Sequence, residues 1–147
     1  MHTILPTLTP QGLQAERALR LAIQDAGIEP QDIDYINAHG TSTLLNDKME
    51  TMVIKRIFGD RAKKIPISST KSMIGHTIAA AGALEICASL LALEKGIIHP
   101  TINQEAPDPE CDLNYVPNKA ITANPKIILK NSFGFGGKNA ALVIGKI

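Results

Sequence analysis

Apolar residues at Ala15, Ala18, Leu19, Ala22, Ile23 and Ala26 recur at the spacing of one helical face. Thr9-Pro10 opens that helix and Gly27 stops it. DIDYIN (32–37) then reads as a strand running into the loop AHGTSTLLN. Asp47, with Glu50 three residues on, caps a second helix that carries Met49, Val53, Ile57 and Phe58 and ends at Gly59. KIPISS (64–69) predicts a short strand and TKSMIGH a loop. Residues 77–94 are apolar nearly all round, the pattern of a helix buried on every side. Residues 100–125 hold five prolines, which predicts a long ordered loop with one short strand at 112–116. KIILKN (126–131) and AALVIGKI (140–147) predict two closing strands joined by SFGFGGK. Helix and strand alternate, so the fold class is α/β with a mixed sheet.

Composition narrows the function classes. The 147 residues suit one domain over 1–147, and 44% hydrophobic with 20% charged content suits a globular chain. Aromatics are only 3%, so the core has to be aliphatic and small. A net charge of +1, with no basic patch among aromatics, gives no case for nucleic acid or a charged membrane. The longest apolar stretch, 78–93, is broken by Gly82, Glu85 and Ser89 and is too short to span a bilayer. The opening MHTILPTLTPQG lacks the charged start and apolar run of a secretion signal. With only Cys87 and Cys111, a reducing, cytoplasmic setting is expected.

Candidate chemistry gathers in loops at strand ends and helix starts. In NAHGTST (37–43), His39 follows a strand, with Gly40 and three hydroxyl residues behind it. It reads either as a catalytic imidazole whose neighbours hold a polar ligand, or as a loop histidine satisfied by the backbone. In TKSMIGHTIAAAGALE (70–85), His76 sits just before a helix, where the helix dipole and Lys71 both disfavour imidazolium. A neutral imidazole there can donate a hydrogen bond to a developing oxyanion. Glu85, inside an apolar helix, needs a lysine or a bound cation. The plainer reading makes Lys71 and Glu85 a structural ion pair and His76 a cap.

NSFGFGGKN (131–139) imitates a phosphate loop and fails twice. Ser132 stands where the first glycine belongs and Asn139 where Ser or Thr belongs. The segment reads as a gate over an apolar channel, carrying Phe133 and Phe135, or as a hairpin turn with two core phenylalanines. Cys87 lies inside the apolar helix and reads as core. Cys111 sits among carboxylates in PDPECDLNY, which raise a thiol pKa and make it a poor nucleophile. No metal-ligand spacing such as H-E-x-x-H or C-x-x-C occurs.

Three stretches, NAHGTSTLLNDKMET, SSTKSMIGHTIAAAGALE and NSFGFGGKNAALV, in this order and spacing resemble the C-terminal half of β-ketoacyl-acyl-carrier-protein synthases. The nearest likeness is to the elongating enzymes of type II fatty acid synthesis and to related polyketide ketosynthases. HTILPTLTPQG and PTINQEAPDPECDLNYVPN also match, so the likeness covers essentially the whole chain. The resemblance implies a thiolase-like fold, here its C-terminal half, with a central buried helix at about 77–94. It implies condensation of an acyl chain with malonyl-carrier protein, with loss of CO2. His39 and His76 match the two histidines that bind the malonyl thioester oxygen. Lys71 matches the active-site lysine, Glu85 its partner, and Asp47 a supporting carboxylate. Thr41 and Thr43 match hydroxyls that bind the phosphopantetheine arm carried by the substrate. Phe135 matches a gating phenylalanine beside the acyl pocket, with Phe133, Gly134 and Gly136 in the same gate. Asn37, Glu85 and Asn131 fall where some members hold a structural monovalent cation; the resemblance implies no required cofactor.

One departure matters. The family's nucleophilic cysteine lies on the N-terminal half, and neither Cys87 nor Cys111 matches it. Lys138 stands where many members have threonine. The chain is therefore expected to be half of an acyltransferase, inactive alone, with acyl carrier protein and the N-terminal half as partners. The alternative is a non-catalytic, ketosynthase-like subunit that completes a partner chain. Helix 77–94 should pack on its counterpart, so the lone chain is expected to expose an apolar face and form a homo-oligomer through it.

Overall fold

The computed structural model describes residues 12–146, with Phe135 described by its backbone alone. Along the chain come α1 (Leu13–Asp25), β1 (Tyr35–Asn37), α2 (Leu44–Phe58), β2 (Ile67–Ser68), α3 (Lys71–Ile74), α4 (Ala81–Lys95), β3 (Ile97–Ile98), β4 (Ile121–Thr122), β5 (Ile127–Phe133) and β6 (Asn139–Gly145). The main sheet has the order β2-β1-β5-β6. β1 runs parallel to β2 and β5, and β6 closes the sheet antiparallel, so the mixed α/β sheet is as expected. β3 and β4 form a separate antiparallel pair.

Strand alternation sorts the side chains to two faces. Ile36, Leu129 and Phe133 meet Leu19 and Ile23 of α1 and Val53, Ile54 and Ile57 of α2. Tyr35 and Ile128 meet Ala92 and Leu93 of α4, with Ile98 and Val116. The result is three layers, with the sheet between α1 and α2 on one side and α4 on the other. Both cores are almost wholly aliphatic, as the scarcity of aromatics required.

Several expectations need correction. The Thr9-Pro10 helix opening lies outside the described residues. The second helix begins at Leu44, with Thr43 in the capping position, so Asp47 is one turn inside it. Asp47 still takes the Ser42 N–H, tying the helix start from within. TKSMIGH is not all loop: Lys71–Ile74 make one helical turn. No strand forms at 112–116; instead Asn114 offers its carbonyl to the Ile67 N–H at 2.8 Å and Thr101 bridges Pro117.

The helix at 77–94 departs most. Its regular part is α4, preceded by a tight turn at Ile78–Ala80. It is not buried on every side. Ala81, Glu85, Ser89, Ala92 and Leu93 face the sheet, while Ile78 is 76% exposed and Leu91 55%. Leu84, Leu90 and Cys87 are exposed too, so Cys87 is not core. Glu85 and Ser89 are buried among the sheet-facing residues while Leu84, Leu90 and Leu91 point outward, unlike an ordinary surface helix. Among the described residues no helix is long and apolar enough to cross a membrane.

Leu129, fully buried at the centre of β5, anchors the larger core. Leu129→Ala should cost about 2–5 kcal/mol in urea denaturation. A loss below about 1 kcal/mol would mean that this core is loosely packed.

Candidate active site

β1 ends at Asn37, and the chain then turns over the sheet edge through Ala38, His39 and Gly40. Glu50, nearly two turns into α2 on its buried face, holds that turn. Its carboxylate accepts the His39 and Gly40 N–H groups, each at 2.9 Å, and the Asn131 amide at 3.1 Å. Burial pushes the Glu50 pKa up, against the pull of those donors. Ser69 donates its hydroxyl to the Gly40 carbonyl at 2.7 Å. Gly40 has φ 44°, and a Cβ there would lie 2.5 Å from the Ser69 Cβ, so only glycine fits.

Lys71, at the start of α3, is buried with its ammonium against three acceptors. It bonds the His39 carbonyl at 2.6 Å, reaches His39 Nδ1 at 3.4 Å and pairs with Glu85 Oε1. All three ammonium protons are thereby committed. With the ammonium facing Nδ1, the His39 ring proton is assigned to Nε2. Burial, then the positive charge of Lys71, lowers the His39 pKa to about 3, so the ring is neutral.

His76 is exposed on the rim. The Ile78 N–H donates to its Nδ1 at 3.1 Å, which assigns the His76 proton to Nε2 as well. Ile78 adopts φ 53°, a costly conformation for a β-branched residue, and so turns its N–H back toward the ring. The two imidazoles stand at 87° with centroids 6.0 Å apart. The structure thus brings His39, Lys71, His76 and Glu85 together as one cluster: two imidazoles, each engaged at Nδ1, backed by a buried ion pair.

A cleft of about 830 Å³ opens beside them, lined by Thr41, Thr43, Asp47, Lys71, His76 and Cys111 among others. The Thr41 and Thr43 hydroxyls lie 2.9 Å apart. Burial raises the Asp47 pKa, although the Asn46 amide bonds its carboxylate at 3.1 Å. Burial raises the Cys111 thiol pKa ahead of Asp108 and Asp47, so the acidic neighbours expected from the sequence add to a larger effect of burial.

Phe133 is buried against His39, with ring centroids 5.6 Å apart. The Gly134 N–H closes the following turn onto the Lys138 carbonyl at 2.7 Å, and Gly136 takes φ 72°. The Phe135 side chain lies outside what the structure describes. The three candidate cation ligands do not converge. Asn37 donates to the Glu85 carbonyl and to Ser89, whereas Asn131 turns to Glu50 across the sheet.

Sequence reasoning missed three residues. Glu50 looked like half of a capping box; its place on the buried stripe with Met49 and Val53 was the available signal. Lys130 is 2% exposed and pairs with Glu85 Oε2 at 2.6 Å, and nothing in KIILKN distinguished it from a surface lysine. His99 joins Tyr35, Ser68 and Thr70 in a half-buried hydroxyl network, with Thr70 at 3.0 Å.

A parallel-strand edge that brings two imidazole N–H donors together above a buried ammonium defines an α/β site suited to a developing oxyanion. Comparison with known proteins agrees. The family model described as "Beta-ketoacyl synthase, C-terminal domain" matches residues 5–105. The chain belongs to the β-ketoacyl synthase family, of which it carries the C-terminal domain. It is 50% identical over 129 residues to 3-oxoacyl-[acyl-carrier-protein] synthase 2 of Coxiella burnetii, covering 88% of this chain and 31% of that protein. It is 48% identical to Nodulation protein E of a Rhizobium species, covering 90% of this chain and 33% of the relative. A solved type II polyketide ketosynthase, in complex with its acyl-carrier protein and bound to a hexaketide, matches with TM-score 0.94 and 43% identity. That match covers 97% of this chain and 35% of the other. A β-ketoacyl synthase from Burkholderia phymatum matches with TM-score 0.87 and 37% identity, over 99% of this chain and 34% of that one. The fold is therefore the C-terminal part of the thiolase-like ketosynthase fold, and the chain spans about a third of the length of these relatives.

The His39 pKa carries a stability consequence. Unfolded, the imidazole takes a proton near 6.5; folded, it takes one only near 3. Between those values the unfolded chain holds more protons, so stability falls as pH drops through that window, by about 1.4 kcal/mol per unit. Urea melts at pH 7 and pH 5 should show a smaller acid loss for His39→Asn than for the wild type. Equal losses would mean that His39 titrates normally in the folded chain.

Proposed function

We propose that this chain is the C-terminal catalytic part of a 3-oxoacyl-acyl-carrier-protein synthase. The observation that carries the reading is the pair of Nε2–H imidazoles, one buried and one on the rim, both fixed by Nδ1 contacts.

The chemistry follows from that pair. A cysteine thiolate on the N-terminal part, on this polypeptide or another, attacks the acyl thioester of the carrier and keeps the acyl group as a new thioester, while the carrier's phosphopantetheine thiolate leaves. The malonyl unit enters on its phosphopantetheine arm past Thr41 and Thr43. The His39 and His76 Nε2–H groups donate to its thioester oxygen. The C–CO2 bond breaks, CO2 leaves, and its electron pair becomes an enolate stabilised by the same two donors. The enolate carbon attacks the acyl thioester, the new C–C bond forms, and the thiolate departs. His39 has to be neutral throughout, and burial with Lys71 beside it keeps it so. Lys71 acts through His39, as a positioning group.

The outward apolar face of α4 supports an N-terminal partner segment. A second reading, a non-catalytic subunit completing another ketosynthase chain, is favoured by relatives described as ketosynthase and chain length factor pairs. The presence of His39, Lys71 and His76 together weighs against it.

Condensation of acyl- and malonyl-carrier protein should be absent with this chain alone and present with a cysteine-bearing N-terminal half. In that assembly, His39→Ala or His76→Ala should lower kcat by about 10²–10³. A folded, inactive assembly would favour the non-catalytic subunit, and activity of the lone chain would overturn the assignment of the nucleophile. In light scattering the isolated chain should run above the mass of one copy, because Leu84, Leu90 and Leu91 need cover. A monomer that binds no dye for apolar surface would contradict that.

A further inference from the structure

Glu85 is 1% exposed, and its two carboxylate oxygens meet two different lysines. One lysine would neutralise it. A second buried ammonium adds desolvation cost and leaves the cluster with net positive charge. Strand alternation explains where this lysine comes from. On β5, Leu129, Asn131 and Phe133 face α1 and α2, so Ile128, Lys130 and Ser132 face α4. Lys130 bonds the Ser132 hydroxyl and sits 2.6 Å from Glu85 Oε2, a contact that makes an ion pair without hydrogen-bond alignment. The α4 turn above it carries Gly82, where an added Cβ would lie 4.0 Å from the Lys130 ammonium.

We infer that Lys130 is a positioning residue: its tethered ammonium fills the cation place at Glu85, leaving Lys71 free to hold His39. The donor set does not suit a free cation. Glu85 Oε2 already faces an ammonium, and the Asn131 amide is turned to the other face of the sheet. An ion entering beside Glu85 would also meet two positive charges. Without Lys130, Glu85 would draw Lys71 toward both its oxygens and away from the His39 carbonyl. Lys130 also adds to the positive charge that keeps His39 neutral.

The inference rests on the proposed function for its kinetic half only. In the assembled enzyme, the wild type should melt at the same temperature in potassium, sodium and choline chloride of equal concentration. Lys130→Ser leaves room for an ion, so its midpoint should rise by about 2–4 °C in potassium or sodium relative to choline. Its kcat in choline should fall by about 10- to 100-fold, with KM little changed, and recover in potassium or sodium. Lys130→Arg should keep kcat without any added cation. A cation-dependent wild type, or a Lys130→Ser enzyme indifferent to the cation, would overturn the inference and leave Lys130 as packing. If the wild-type assembly condenses nothing, the functional reading fails, while the melting comparison still decides the role of Lys130.

Discussion

A buried ammonium between the His39 carbonyl and Glu85 is the contact on which the site depends. Lys71 joins three pieces of chain: the turn after β1, the short helix α3 and the sheet-facing side of α4. Buried ion pairs contribute little net stability, because desolvation offsets their attraction. Breaking one by removing a single partner is costly, because the other charge is left alone. The value of the arrangement therefore lies in what it fixes. It fixes the tautomer of His39, the carbonyl of the same residue and the orientation of α4.

The rest of the site is built outward from that contact by backbone groups. Glu50 gathers two successive N–H groups of the His39 turn, and Ile78 accepts an unfavourable φ to direct its N–H at His76. Neither arrangement is economical for stability. A fully buried carboxylate and a left-handed isoleucine are both local costs that the surrounding packing has to carry. The same applies to α4, which buries Glu85 and Ser89 against the sheet and turns Leu84, Leu90 and Leu91 outward. The helix serves the site on one side and leaves an apolar surface exposed on the other.

Much of this was legible in the sequence. Helical spacing placed α1 and α2, and the alternation of helix and strand gave the mixed sheet. Lys71, His76 and Glu85 stood out because ionisable groups beside small apolar residues at a helix start are unusual, and His39 because it follows a strand with Gly40 and hydroxyl residues behind it. What the pattern could not supply was direction. An all-round apolar helix looks the same whether its outer face is covered by its own chain or by something else; only the family resemblance implied that this face would lie open, as Leu84 and Leu91 do. Lys130 and Asn131 are sequence neighbours, and only the pleat sends one to Glu85 and the other to Glu50. Glu50 was read as a helix cap because the start of α2 was set at Asp47, whereas helical geometry begins at Leu44 and places Glu50 on the buried stripe.

Two imidazoles engaged at Nδ1 present Nε2–H, and burial with Lys71 keeps the His39 ring neutral. Ring-nitrogen NMR of the folded protein, with histidines labelled by 15N and titrated from pH 8 to about pH 4, reads this directly. His39 should show the Nε2–H tautomer throughout and take up no proton in that range, and His76 should show the same tautomer when neutral. A His39 ring that titrates near its ordinary value, or that carries its proton on Nδ1, would contradict the arrangement of Lys71, His39 and Glu85 described above.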